Sequence, residues 1–158
     1  MTKSILIYET LLDFANGQVV DTTQLELRFL FQYFAYQSKL VQNNPNAFEY
    51  ISNEAISNQL RTYFGTYEFV SIANNLTNET ITTFYNPFIV KYYPKIQRTS
   101  SINDLLEMME KSELPGIISL VHGSTSNTLL QIDSMLSVNH QLIEIIEQEL
   151  FDKVPKLE

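Results

Sequence analysis

The strongest periodicity in the chain lies in its last third. Leu129, Ile132, Leu136, Asn139, Ile143, Ile146 and Leu150 alternate at spacings of three and four, with Asn139 the single polar member. That pattern predicts an amphipathic helix facing a seam. Its start is expected near Ser124 or Ser126, whose hydroxyls suit an N-cap, and its end about Phe151. Met135 and Leu142 widen the stripe on one flank, which suits packing among several helices better than a bare two-stranded coil.

Earlier segments carry weaker versions of the same signal. Ile5, Tyr8, Leu11, Leu12 and Ala15 predict a short helix stopped by Asn16-Gly17. Asp21 with Gln24 has capping-box spacing, and opens an expected second helix to about Gln42. Its apolar residues run almost all round, which would make it central to a core. Asn44-Pro45 begins a third helix carrying Phe48, Ile51, Ala55, Ile56, Leu60 and Phe64 inward and stopping at Gly65. A shorter fourth follows from Thr66 to Leu76. Ser101 and Asp104 open another through Leu105, Leu106, Met108 and Met109, broken by Leu114-Pro115-Gly116.

Two stretches read differently. Residues 80–85 and 88–93 are β-branched and aromatic, with Asn86-Pro87 between them. They predict a small β-hairpin near 80–93, with continuing helix or an extended loop as the alternatives. Residues 117–121, bounded by Gly116 and Gly123, read as a strand or a helical turn. The fold class expected is mainly α: a compact multi-helix bundle with a long C-terminal helix, α+β being the alternative. One domain over residues 1–158 is expected, since no repeat or linker divides the chain.

Composition narrows this further. Hydrophobic residues at 44% and charged residues at 18% exclude a chain disordered throughout. Four Gly and five Pro leave little material for the tight turns of an all-β fold. There is no Cys, hence no disulfide and no thiolate chemistry. The apolar tract after Lys3 is interrupted at Glu9, and nowhere do ~20 apolar residues run together, so neither a signal peptide nor a membrane span is expected. Without a secretion signal, Asn75-Leu76-Thr77 and Asn78-Glu79-Thr80 read as chance matches to the glycosylation pattern. A cytoplasmic protein with no membrane partner is the expectation.

The net charge of −8 is concentrated towards the end: residues 101–158 hold ten acidic side chains against Lys111, Lys153 and Lys156. That disfavours nucleic acid, whose phosphates need Lys and Arg. It leaves either a solvated acidic face or a surface that attracts a basic protein.

Candidate chemistry is sparse. His122 and His140 stand in neither His-x-x-x-His nor Glu-x-x-His spacing, so no metal and no cofactor are expected. Asp104, Glu107 and Glu110 read as a solvent-facing stripe rather than a magnesium site. The stretch from His122 to Asn127 puts a His, three hydroxyls and a Gly at the expected mouth of the last helix, where free N–H groups favour anions. It matches neither the Walker A loop nor the nucleophile elbow. A capping role is the plainer reading; a small hydrolase or anion-binding domain is the sharper one. Tyr85, Phe88, Lys91, Tyr92, Tyr93 and Arg98 mix aromatics with cations. They suit a protein-binding patch or plain core packing, with too few cations for single-stranded nucleic acid.

The leading expectation is therefore a non-enzymatic protein–protein interaction module of the inhibitor, immunity or adaptor type, with no catalytic residue. The last helix would dock a partner protein or form a homodimer. Asp133, Glu147 and Glu149 have no facing Lys or Arg, which penalises a parallel homodimer and favours an antiparallel one or docking against the protein's own helices, with a basic partner as a third option.

Overall fold

The computed structural model describes residues 1–23, 25–26, 29–38, 43–44, 46–92, 102–111 and 113–153. Of these residues 80% are helical, the fold is mainly α with a long C-terminal helix, and no strand occurs among them. Helix α1, Thr2–Ala15, buries Ser4, Ile7, Tyr8 and Leu11, one helical face at spacings of three, one and three. It closes at Gly17, whose φ of 80° is the left-handed conformation that glycine adopts without penalty. The Gly17 N–H donates to the Phe14 carbonyl at 2.9 Å and the Gln18 N–H to the Asp13 carbonyl at 3.0 Å. That pair of bonds is a Schellman cap.

The helix expected from Asp21 to Gln42 does not form over its described residues. Asp21 Oδ1 instead accepts the Thr23 N–H at 2.9 Å and the Thr23 hydroxyl at 2.7 Å, an Asx turn that competes with helix initiation. Beyond a single turn, residues 32–38 have no regular structure. Phe29, Phe31, Tyr33, Phe34 and Tyr36 are weak helix formers, and other elements take up their polar backbone. The Ser4 hydroxyl donates to the Phe29 carbonyl at 2.8 Å, and the Phe31 N–H to the Tyr8 hydroxyl at 3.1 Å. Phe31 itself has φ 53° and lies in the core, its ring stacked on Tyr85 with centroids 3.5 Å apart.

Helix α2, Glu54–Thr80, runs 27 residues and passes straight through Gly65, where a stop was predicted. One glycine costs a helix only ~1 kcal/mol relative to alanine, and buried Leu60, Val70, Ala73 and Thr77 hold this one. Its N-cap is Asn53, whose Oδ1 accepts the Ile56 N–H at 3.1 Å. Ahead of it Ala47–Tyr50 makes one 3₁₀ turn, and Ser57 donates to the Phe48 carbonyl at 2.7 Å. The helix expected to begin at Asn44-Pro45 thus begins only at Glu54, with residues 51–53 outside any helix; Pro45 itself lies outside the described residues.

The hairpin predicted near 80–93 is absent. Ile81–Tyr85 is a π-helical turn and α3, Asn86–Tyr92, continues from it. The cause is Pro87, which lacks an N–H and whose ring would crowd the Thr83 carbonyl in a regular α-helix. The wider turn relieves this, with the Asn86 N–H bonded to the Ile81 carbonyl five residues back. The threonines that suggested strand bond back along the helix: Thr80 to the Leu76 carbonyl at 2.7 Å and Thr82 to the Asn78 carbonyl at 2.9 Å.

Helix α4, Ile102–Lys111, buries Leu105, Met108 and Met109 as expected and packs against α1. Helix α5, Leu114–Lys153, is 40 residues long and begins well before Ser124. Pro115 sits in its first turn, where a missing N–H costs nothing. Residues 117–121 are neither strand nor isolated turn. They belong to α5, and Leu114, Ile117, Ile118 and Val121 form its buried face.

Two compact units are distinguished, one of residues 1–35 with 73–129, the other of residues 36–72 with 130–158. The core of the first gathers Tyr8, Leu11, Phe31, Ile81, Phe88, Met108 and Ile118. Thr77 and Thr128, both fully buried, meet there at 3.0 Å. In the second, Leu60 and Val70 of α2 and Met135 and Leu142 of α5 are buried.

Candidate interaction surface

The C-terminal half of α5 carries two apolar stripes, one residue apart. The first is buried: Met135 and Leu142 are 3% and 5% exposed, with Val138 and Ile145 half-buried between and after them. This face meets residues 36–72 through polar contacts as well. The Tyr36 hydroxyl donates to Met135 Sδ at 3.0 Å. Gln59 Nε2 donates to the Val138 carbonyl at 3.2 Å and to Gln141 Oε1 at 3.0 Å. Asn53 Nδ2 donates to Glu149 Oε2 at 2.6 Å.

The second stripe is the one predicted as a seam, and most of it lies open. Leu136, Ile143, Ile146 and Leu150 are 50%, 44%, 36% and 61% exposed, while Leu129, Ile132 and Asn139 are half-buried. A step of one residue turns a helix by about 100°. Filling the core with Met135 and Leu142 therefore swings Leu136 and Ile143 outward. Phe151 is exposed beyond Leu150, and Asp133, His140, Glu144 and Glu147 are exposed along the same half of the helix. Sequence reasoning found this helix and its period but not which stripe the chain uses for itself. Phe69, Ile72 and Leu76 form a similar exposed line on α2, beside buried Val70, Ala73 and Thr77. Their three-and-four spacing is readable in the sequence.

The stretch from His122 to Asn127 is not a loop. It lies inside α5, where each backbone N–H bonds the carbonyl four residues back. No row of free donors remains for an anion. Ser124 donates to the Val121 carbonyl at 3.0 Å, and the Thr128 hydroxyl to the Ser124 carbonyl at 3.1 Å. His122 Nε2 stands 3.7 Å from Glu9 Oε1, with the ring edge-on to Tyr8. Burial pushes the Tyr8 phenol up to about 12 and the Tyr85 phenol likewise.

The aromatic–basic patch also divides. Tyr85 is half-buried against Phe31 and Phe88 is buried, so both serve the core rather than a surface. Ile81, Tyr85 and Phe88, spaced by four and three, share the inner side of this segment. Lys91 remains outside, 3.8 Å from Glu113, at the rim of a 430 Å³ groove lined by Phe84, Pro87, Ile117 and Leu120. The Tyr92 side chain, Tyr93 and Arg98 lie outside the described residues. A second groove, 510 Å³, is lined by Phe48, Arg61, Phe64 and Tyr67, with the Arg61 guanidinium 4.8 Å above the Phe48 ring.

Among the described residues no three His, Asp or Glu converge where they could hold a metal ion, and Asp104, Glu107 and Glu110 are exposed on α4. No helix among them is long and apolar enough to cross a membrane. Compared with protein families, curated proteins and solved structures, the chain matches none.

Proposed function

We propose that this chain is a non-enzymatic protein-interaction module that docks a protein partner through the outer stripe of α5. The observation carrying this is the exposure of Leu136, Ile143, Ile146 and Leu150 at regular spacing, beside a stripe that already meets the chain's own core. Isolated exposed leucines are ordinary, whereas an ordered apolar line marks a surface awaiting a partner. Burying each such side chain is worth ~1.5–3 kcal/mol, enough in sum to drive association. An inhibitor, immunity-type or adaptor role fits, and a Cys-free chain suits the cytoplasm. The alternative of a hydrolase or anion site at His122–Asn127 draws no support from a helix interior.

Sedimentation and co-purification from the native host, wild type beside Ile143→Asp, test the reading. A variant that keeps its circular dichroism but loses a dimer or a co-purifying protein upholds it. A variant that unfolds beside a monomeric, partnerless wild type assigns Ile143 to the core and ends it.

A further inference from the structure

We infer that the occupant of the outer α5 stripe is a basic amphipathic helix from another protein, an inference that rests on the interaction reading above. Two observations on the same surface converge. Leu136, Ile143, Ile146 and Leu150 recur at spacings of seven, three and four, which matches the knobs of a second helix lying alongside. From Leu136 to Leu150 the open stripe extends ~21 Å at 1.5 Å per residue, the length of two heptads of partner.

The charges beside it have one sign. Asp133, Glu144 and Glu147 are exposed along this half of α5, and no Lys or Arg occurs between Lys111 and Lys153. Glu147 stands one turn after Ile143, and Glu144 directly follows it. Glu149, in contrast, faces the chain's own Asn53 and takes no part in the outer rim. A second copy laid parallel would set these acids against each other. Flanking Lys or Arg on a foreign helix would face them with the opposite charge, giving both steering and register. Asn139, half-buried in the line, adds a polar position that such a helix must match.

The test uses two synthetic helical peptides of three heptads, with Leu at the seam and either Lys or Glu at every flanking position. Binding is read by calorimetry on the full chain, with sedimentation giving the oligomeric state. The Lys peptide should bind one to one, at least ~10-fold tighter than its Glu twin, and weaken as salt rises to ~0.5 M. Glu144→Lys with Glu147→Lys should reverse the preference. Ile143→Asp should lose both peptides with its circular dichroism unchanged, and the more exposed Leu150→Ser gives the same reading should Ile143→Asp unfold. Equal binding of the two peptides, or a wild-type dimer through α5 that excludes both, overturns the basic occupant while leaving the stripe an interface. Lys-peptide binding that survives both stripe variants traces to bulk acidity and overturns the inference. No binding of either peptide by a monomeric chain overturns the interaction reading with it.

Discussion

Asn78 holds Phe34 by both of its backbone polar groups: its Oδ1 accepts the Phe34 N–H at 3.0 Å and its Nδ2 donates to the Phe34 carbonyl at 2.7 Å. The side-chain amide takes the place of a neighbouring strand. Asn74, one turn earlier on α2, donates to the same carbonyl at 3.0 Å. An irregular aromatic tract can thereby lie against helices with its peptide groups satisfied and no sheet present.

Asn78→Ala should cost ~1–3 kcal/mol, because the Phe34 N–H loses its partner while the tract stays packed. Asn75→Ala, exposed on the same helix, should stay within ~0.5 kcal/mol of wild type. Chemical denaturation of the two variants side by side reads the difference. Equal stability would mean that water replaces the amide without loss.

Alkaline titration should expose the buried phenols. Tyr8 and Tyr85 are pushed up to about 12 by burial, while in the unfolded chain both titrate near ~10. Between those values the unfolded chain has shed protons that the folded chain keeps. Stability is thus insensitive to these groups below about pH 10 and falls as pH rises towards about 12. Tyr85→Phe, which keeps the stack on Phe31, should flatten part of that fall. Ultraviolet absorbance titration should show the ionisation of Tyr8 and Tyr85 displaced towards about 12.

Two glycines should respond to alanine with opposite signs. Gly65 lies mid-helix with nothing within 4 Å of an added Cβ, so Gly65→Ala should stabilise by up to ~1 kcal/mol. Gly17 has the same open space but a φ of 80°, and Gly17→Ala should destabilise by ~1 kcal/mol through strain in the cap. Thermal melts of both variants decide it.

The Thr77–Thr128 pair should behave as a unit. Besides meeting each other, Thr77 contacts the Ala73 carbonyl at 3.2 Å and Thr128 the Ser124 carbonyl at 3.1 Å. Two hydroxyl protons cannot serve all three contacts, so the contact between the hydroxyls competes with the two carbonyls for them. Either Val substitution alone removes the contact between the hydroxyls and leaves the remaining one its own helix carbonyl, so the second substitution has less left to remove. A double-mutant cycle should give a coupling of ~0.5–3 kcal/mol, with the double variant less unstable than the sum of the singles.

Particular residues explain what the sequence disclosed and what it hid. Helices α1 and α4 were legible because their apolar positions fall on one narrow face and their ends carry local signals, Asn16-Gly17 and Asp104. The tract from Asp21 misled because a capping-box spacing also permits an Asx turn, and apolar residues all round describe an aromatic tract held by side chains as well as a central helix. Pro87 and Pro115 both looked like breaks. One is absorbed by a wider turn and the other by a first turn that needs no N–H. Of the outer surface, the helix and its period were readable from Leu129 to Leu150. Which stripe faces inward was not, since Met135 and Leu136 are equally apolar and only the residues packed against them decide.

The turn at Ile81–Tyr85 also makes the segment sensitive to a particular kind of genetic change. A π turn holds one residue more than the α turn it replaces. Loss of a single codon there, Thr82 or Thr83, would let the helix close to its regular pitch with everything beyond it keeping nearly its present orientation. The Pro87 ring, however, would again crowd the carbonyl four residues before it, the clash that the wider turn relieves. In-frame deletion should therefore be tolerated far less well at these exposed threonines than any substitution of their side chains.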